Sequence, residues 1–134
     1  FNNIKSIDNF QKKNNITVIK NNFSFWKIFK NSDIVICSAG NTVFDLILQR
    51  VPTICIPIVD HQNQYSKFLH SNNLSINLGP PSKLSHSKIR KFLNLILEDS
   101  IKRKELVRTG MSYFDGKGTS RVISKIVQST KIKN

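Results

Sequence analysis

The residues best suited to chemistry lie between Ser38 and Gln62. Ser38-Ala39-Gly40-Asn41-Thr42 combines small side chains, hydroxyl and amide groups and one glycine. A segment of this kind turns from a strand into a helix, and free backbone N–H groups at a helix start attract an anion. A phosphate is the anion expected here, with Ser38, Gly40, Asn41 and Thr42 around it. Gly40 serves either the turn alone or the close approach of a phosphate that a Cβ would obstruct. Asp45 offers two carboxylate oxygens to the adjacent hydroxyls of a ribose. The spacing Thr42-Val43-Phe44-Asp45 is also a capping box with Asp at the usual Glu or Gln position, and, taken by itself, helix closure alone is the favoured reading of it.

A second polar group follows at Asp60-His61-Gln62-Asn63-Gln64, read as a loop. Gln62 and Gln64 are ligand contacts or ordinary exposed polar residues. His61 suggests acid–base work, yet spacing fixes no carboxylate partner for it, so a surface or cap role is the plainer reading. His61, His70 and His86 do not have metal-ligand spacing, and no metal site or cofactor is expected. Neither a nucleophile elbow nor a Walker loop is present. Asp115-Gly116-Lys117-Gly118 is either a charged turn, with Asp115 assisting a helix start, or a loop that brings Lys117 to an anion or another domain.

These groups need elements to position them. Ile34-Val35-Ile36-Cys37 and Thr53-Ile54-Cys55-Ile56 are short β-branched runs, expected as parallel strands buried on both faces. Ile16–Ile19 reads as another strand, and Leu74–Leu78 alternates like a half-exposed edge strand. Helices are expected over 3–13, from a Ser24 cap through Phe29, from Thr42 to the Arg50-Val51-Pro52 stop, and around Tyr65, Phe68 and Leu69. Ser85 or Ser87 caps a helix with Ile89, Phe92, Leu93, Ile96 and Leu97 at i, i+3, i+4, i+7 spacing. A shorter helix from Ser100 should stop at Gly110. A last helix opens at Thr119 with Val122, Ile123, Ile126 and Val127 inward, and its tail is expected to fray. Strands alternating with helices make this an α/β chain with a parallel sheet.

The 134 residues are one domain's worth, and Phe1 in place of Met reads as a fragment or processed product. Neither a signal segment nor a membrane-spanning apolar run is evident. Cys37 and Cys55, both in expected strands, suggest a reducing, cytoplasmic setting. The net charge of +13 is spread over both halves and rests on 16 Lys against 5 Arg, without the Arg and aromatic interleaving of a nucleic-acid face. Nucleic acid is therefore an unfavoured partner, while nucleotides or an anionic membrane surface suit the charge.

Taken together, S-D-I-V-I-C-S-A-G-N-T-V-F-D-L-I-L-Q-R-V-P, D-H-Q-N-Q-Y-S-K-F-L and D-G-K-G-T-S-R-V resemble the carboxyl-terminal half of nucleotide-sugar enzymes with the two-Rossmann-domain glycosyltransferase B fold. The last motif is similar to the UDP-sugar hydrolases of pseudaminic acid biosynthesis, a branch that includes spore-coat polysaccharide proteins. A sister family is the N-acetylglucosamine transferase acting on the lipid-linked peptidoglycan precursor. The resemblance implies that Gly40, Asn41 and Thr42 hold the diphosphate of UDP, that Asp45 replaces a Glu on the ribose, and that Gln62 reaches the diphosphate or sugar. Asn22 would lie near the uracil. Arg50 stands where the family has Gly before Val-Pro, which should alter only the helix end.

In that fold the sheet order is 3-2-1-4-5-6, and the chain would begin after the second strand. Residues 1–134 would then be a partial UDP-binding domain, with Ile16–Ile19 the outermost strand. The catalytic His of the hydrolase branch would sit in the chain's own amino-terminal domain, outside this sequence, leaving the fragment inactive alone. The expected parent activity is hydrolysis of a UDP-linked amino sugar. A glycosyltransferase using a UDP donor is the alternative, and a non-catalytic basic binding module the reading from another class.

Overall fold

Three parallel strands, β1 (Val35–Ser38), β2 (Thr53–Ile56) and β3 (Ile76–Asn77), form one sheet in the order β1-β2-β3. They belong to a computed structural model that describes residues 15–19 and 25–131. Val35 pairs with Thr53 and Ser38 with Ile56, while Ile54 pairs with Ile76. Helices α1 (Phe25–Lys30), α2 (Thr42–Leu48), α3 (His61–Ser71), α4 (His86–Glu98), α5 (Ser100–Tyr113) and α6 (Gly118–Lys131) complete the order, with a 3-10 turn at Pro81–Lys83. This is the expected α/β architecture, a parallel sheet flanked by helices, consistent with a Rossmann-like half domain.

The sheet separates two apolar clusters because neighbouring strand residues point to opposite faces. Cys55 joins Ala39, Val43, Ile47, Leu69 and Leu74 beneath α2 and α3. Ile54 joins Ile76, Leu78, Ile96 and Leu106 beneath α4 and α5. Each fully buried Leu or Ile removes enough apolar surface from water to contribute about 1.5–3 kcal/mol. The series in α4 turns Ile96 into the core, with Ile89, Phe92 and Leu93 packed around it, and Ser85 caps the helix by accepting from the Lys88 N–H at 3.2 Å.

Several expectations change. Ile16–Ile19 is not a strand: among the described residues no strand pairs with it, and Ile16 and Ile19 are exposed. β1 is not covered on both faces, since Ile36 is 42% exposed where α4 and α5 cover its neighbours on β2 and β3 instead. β3 is only two residues long, and Leu74, Ser75, Ile76 and Leu78 are all buried, so Leu74–Leu78 is no half-exposed strand. The buried Ser75 hydroxyl meets Cys55 Sγ at 3.2 Å, which satisfies a polar group beneath the sheet. Leu97 in α4 and Phe68 in α3 point to solvent.

Gly110 does not end α5, which runs on to Tyr113. A Cβ at Gly110 would lie 2.7 Å from Ile47 Cγ2, so the glycine lets α5 close against α2. Arg50 adopts φ +63°, the left-handed conformation that follows a helix end and usually falls to glycine. α6 is the largest departure: Val122, Ile123, Ile126 and Val127 are exposed, not inward. The expected helix over 3–13, the Ser24 cap, Asn22 and the end of the tail lie outside the described residues.

Candidate functional site

The chain leaves the sheet at Ser38, and Ala39 N–H still donates to Ile56 O at 3.1 Å, which carries the β1–β2 pairing into the turn. Gly40 N–H folds back on Ser38 O at 2.8 Å, while Val43 and Phe44 N–H donate to Gly40 O and Asn41 O. Among the described residues, the N–H groups of Asn41 and Thr42 find no acceptor. Asn41 occupies the cap position in helical conformation, without a side-chain cap bond. The expected Thr42–Asp45 capping box is therefore not formed: Thr42 is already helical, because the turn closes one residue earlier through backbone bonds.

Gly40 is not required by the backbone. Its φ is not in the left-handed range, and a Cβ there would meet only Gln62 Nε2 and Ser38 Oγ, both at 3.7 Å. That is ordinary contact, so the missing Cβ leaves open space at the end of the sheet. Gly110, by contrast, is held by packing.

The second polar group also differs from expectation. His61–Gln64 is the first turn of α3, not a loop, with Asp60 before it. No helix breaker intervenes, and Gln62 closes the start by accepting from Ile58 N–H through Oε1 at 2.9 Å. With Oε1 so engaged, the Gln62 Nε2 donor faces Gly40.

The two groups meet at the carboxyl ends of β1 and β2, where ligands of open α/β sheets bind. A cavity of about 360 Å³ there is lined by Ala39, Gly40, Asn41, Phe44, His61, Gln62 and Tyr65. That volume lies in the small-molecule range. Larger open grooves flank α4 and the amino ends of the strands, but neither joins two of the sequence motifs. Ser38, Thr42 and Asp45 are half-buried beside the cavity but do not line it, and Gln64 is exposed away from it.

Ala39, Phe44 and Tyr65 were not singled out for the site by sequence. Phe44 packs between Tyr65 and Phe114, tilted against the first at a centroid distance of 5.3 Å and edge-on to the second at 5.1 Å. Tyr65 lies one turn beyond His61, and that spacing would have placed it on the cavity side had the helix start been read at His61. Its hydroxyl is buried with no partner among the described residues, and burial first, then Cys55, pushes the phenol well above its ordinary pKa. Burial, with Cys55 adding, also pushes the Cys37 thiol up to about 11, so both sulfurs stay protonated and unreactive beneath the cavity. The lining has donors for an anion and an aromatic wall. It has no nucleophile–base pair.

The Asp115 loop explains its own motif. Asp115 accepts from Lys117 N–H at 3.0 Å and pairs with Arg121 through both guanidinium nitrogens, while Gly116 takes φ +71°. Its Asp, Gly and Arg thus fasten the start of α6, the plainer of the two expected readings. The Arg121 hydrogen bond, then that from Lys117 N–H, holds the Asp115 carboxyl at about 2.

No protein-family model matches the chain. Among curated proteins it is similar to the UDP-N-acetylglucosamine--N-acetylmuramyl-(pentapeptide) pyrophosphoryl-undecaprenol N-acetylglucosamine transferase of Idiomarina loihiensis, at 27% identity over 105 residues. The match covers 75% of this chain and 29% of that protein, so the chain spans less than a third of that relative's length. This relative falls on the transferase side of the resemblance and lends the hydrolase branch no support.

Proposed function

We propose that the chain is the donor-binding part of a nucleotide-sugar enzyme, with UDP held at the carboxyl ends of β1 and β2. The observation that carries this reading is the convergence of Gly40-Asn41 and Gln62, distant in sequence, on one cavity. The free N–H groups of Asn41 and Thr42 and the Gln62 amide donate to the diphosphate. Gly40 leaves it room. Phe44 and Tyr65 give an apolar wall for a ring, and Asp45, just outside the lining, takes a ribose hydroxyl at the rim.

Glycosyl transfer from a UDP donor is preferred over hydrolysis as the activity of the longer protein. The similarity to a transferase supports it, and the Asp115 loop, the motif that favoured a hydrolase, has a structural role. The cavity lining described has no acid–base pair, and in this reading a further domain supplies the group that activates the acceptor. Residues 1–134 are in this reading one part of a donor-binding domain.

Titrating UDP into the protein by calorimetry tests the site. Binding should be saturable, and Gln62→Ala should weaken it by about 1–3 kcal/mol, the range for a hydrogen bond to a charged group. Gly40→Ala should weaken it with little change in folding stability. No UDP binding, or binding indifferent to both substitutions, sinks the proposal. Release of free sugar by the longer protein without an acceptor would restore hydrolysis.

A further inference from the structure

Phe114 does not line the cavity at Gly40, yet it meets a ring that does. The Phe44 and Phe114 rings pack edge to face, with an interplanar angle of 74°. On its other side Phe44 meets Tyr65, tilted at 42°. The two rings of the cavity wall thus belong to a three-ring cluster drawn from α2, α3 and the end of α5. Such pairs favour particular mutual orientations, because the positive edge of one ring seeks the negative face of the other.

The chain holds Phe114 on both sides. Its own N–H donates to Gly110 O at 3.0 Å, which ties it to the last turn of α5. Just before it, the Tyr113 hydroxyl donates to Asn72 Oδ1 at 2.8 Å, at the C-cap of α3. Just after it, Gly116 runs beside the end of α2, where an added Cβ would lie 3.6 Å from Leu48 Cδ2. Phe114 therefore sits between attachments to the two helices that carry Phe44 and Tyr65.

We propose that Phe114 is a positioning residue for the donor site, holding the Phe44 ring in the orientation that a bound ring meets. A wall set in place before the ligand arrives spares binding the cost of ordering it. The inference rests on the donor-binding reading above and adds to it a residue that acts through Phe44, from behind the wall.

The test is calorimetric titration of UDP into the full chain and its variants, with a urea midpoint for each. Phe114→Leu keeps apolar volume and removes the ring. It should weaken UDP binding about three- to tenfold, the scale of a lost aromatic pair. Phe114→Met, flexible enough to fill the same space, stands in for it should the leucine variant not fold. Phe114→Tyr keeps the ring and should retain most of the affinity. In a Phe44→Leu background Phe114→Leu should cost little more, because the ring it positions is gone. In a Gln62→Ala background the cost should persist.

Absence of UDP binding by the wild type ends the donor reading and this inference together. UDP binding that Gln62→Ala weakens and Phe114→Leu does not would overturn the role of Phe114 alone. So would an equal loss from Phe114→Leu in the wild-type and Phe44→Leu backgrounds, which makes its effect one of general packing. A Phe114→Tyr variant as weak as Phe114→Leu would count the same way.

Discussion

α2 and α6 have similar apolar patterns and opposite surroundings. α2, with seven residues, buries Val43, Leu46 and Ile47 between the sheet and α5. α6 is twice as long and presents four aliphatic side chains to solvent. Hydrophobic periodicity reports which face of a helix is apolar. It does not say what covers that face, and the cover comes from other elements: α2 has the sheet on one side and the Gly110 notch on another.

The sharpest way to break the comparison is to truncate the same kind of side chain in both helices. Leu46→Ala should lower unfolding free energy by about 2–5 kcal/mol, as expected for a fully buried Leu, read from the urea midpoint. Ile126→Ala should stay within about 0.5 kcal/mol. Equal losses would mean that α6 is packed in solution. Next in size is Gly110→Ala. Its Cβ would press on the stiff, β-branched Ile47, an overpacking cost of about 1–3 kcal/mol, reduced by the roughly 1 kcal/mol that Ala gains over Gly in a helix. The loss should shrink when Ile47→Ala is added, and an unchanged loss would remove the Gly110–Ile47 contact as its cause.

The smallest effect concerns the attachment of α6. Asp115 has its carboxyl lowered to about 2 from a reference of 3.8, so the stabilisation is complete above the reference and fades as pH falls toward 2. An NMR titration of Asp115 should give a midpoint near that lower value. In Arg121→Gln it should move back toward the reference, with fraying of the α6 start and no change in the core transition. A midpoint indifferent to Arg121 would sink the pairing.

The same contrast explains what sequence could reveal. β2 was legible because its β-branched run is buried on both faces, and α4 because its apolar positions and Ser85 cap agree. The Ser38–Thr42 turn was legible from its small residues and glycine. The start of α3 was hidden because Asp-His-Gln-Asn-Gln is polar throughout, and only the Gln62 side chain reaching Ile58 N–H marks it as helix. Gly110 read as a stop because a glycine late in a helix commonly is one, and only the approach of Ile47 gives its other role. Ile16–Ile19 has strand composition, but a strand also requires a neighbour. For the site, the turn and Gln62 were found by residue type. Phe44 and Tyr65 were missed because an aromatic on a cavity wall has the same spacing as one in a core.

Gly40 and Gly110 form an internal control for a mutational library. A selection that reads only how much folded protein accumulates should accept alanine at Gly40 and deplete it at Gly110. A selection that requires donor binding should deplete both. The difference between the two screens at Gly40 would separate what the ligand demands of this chain from what its folding demands.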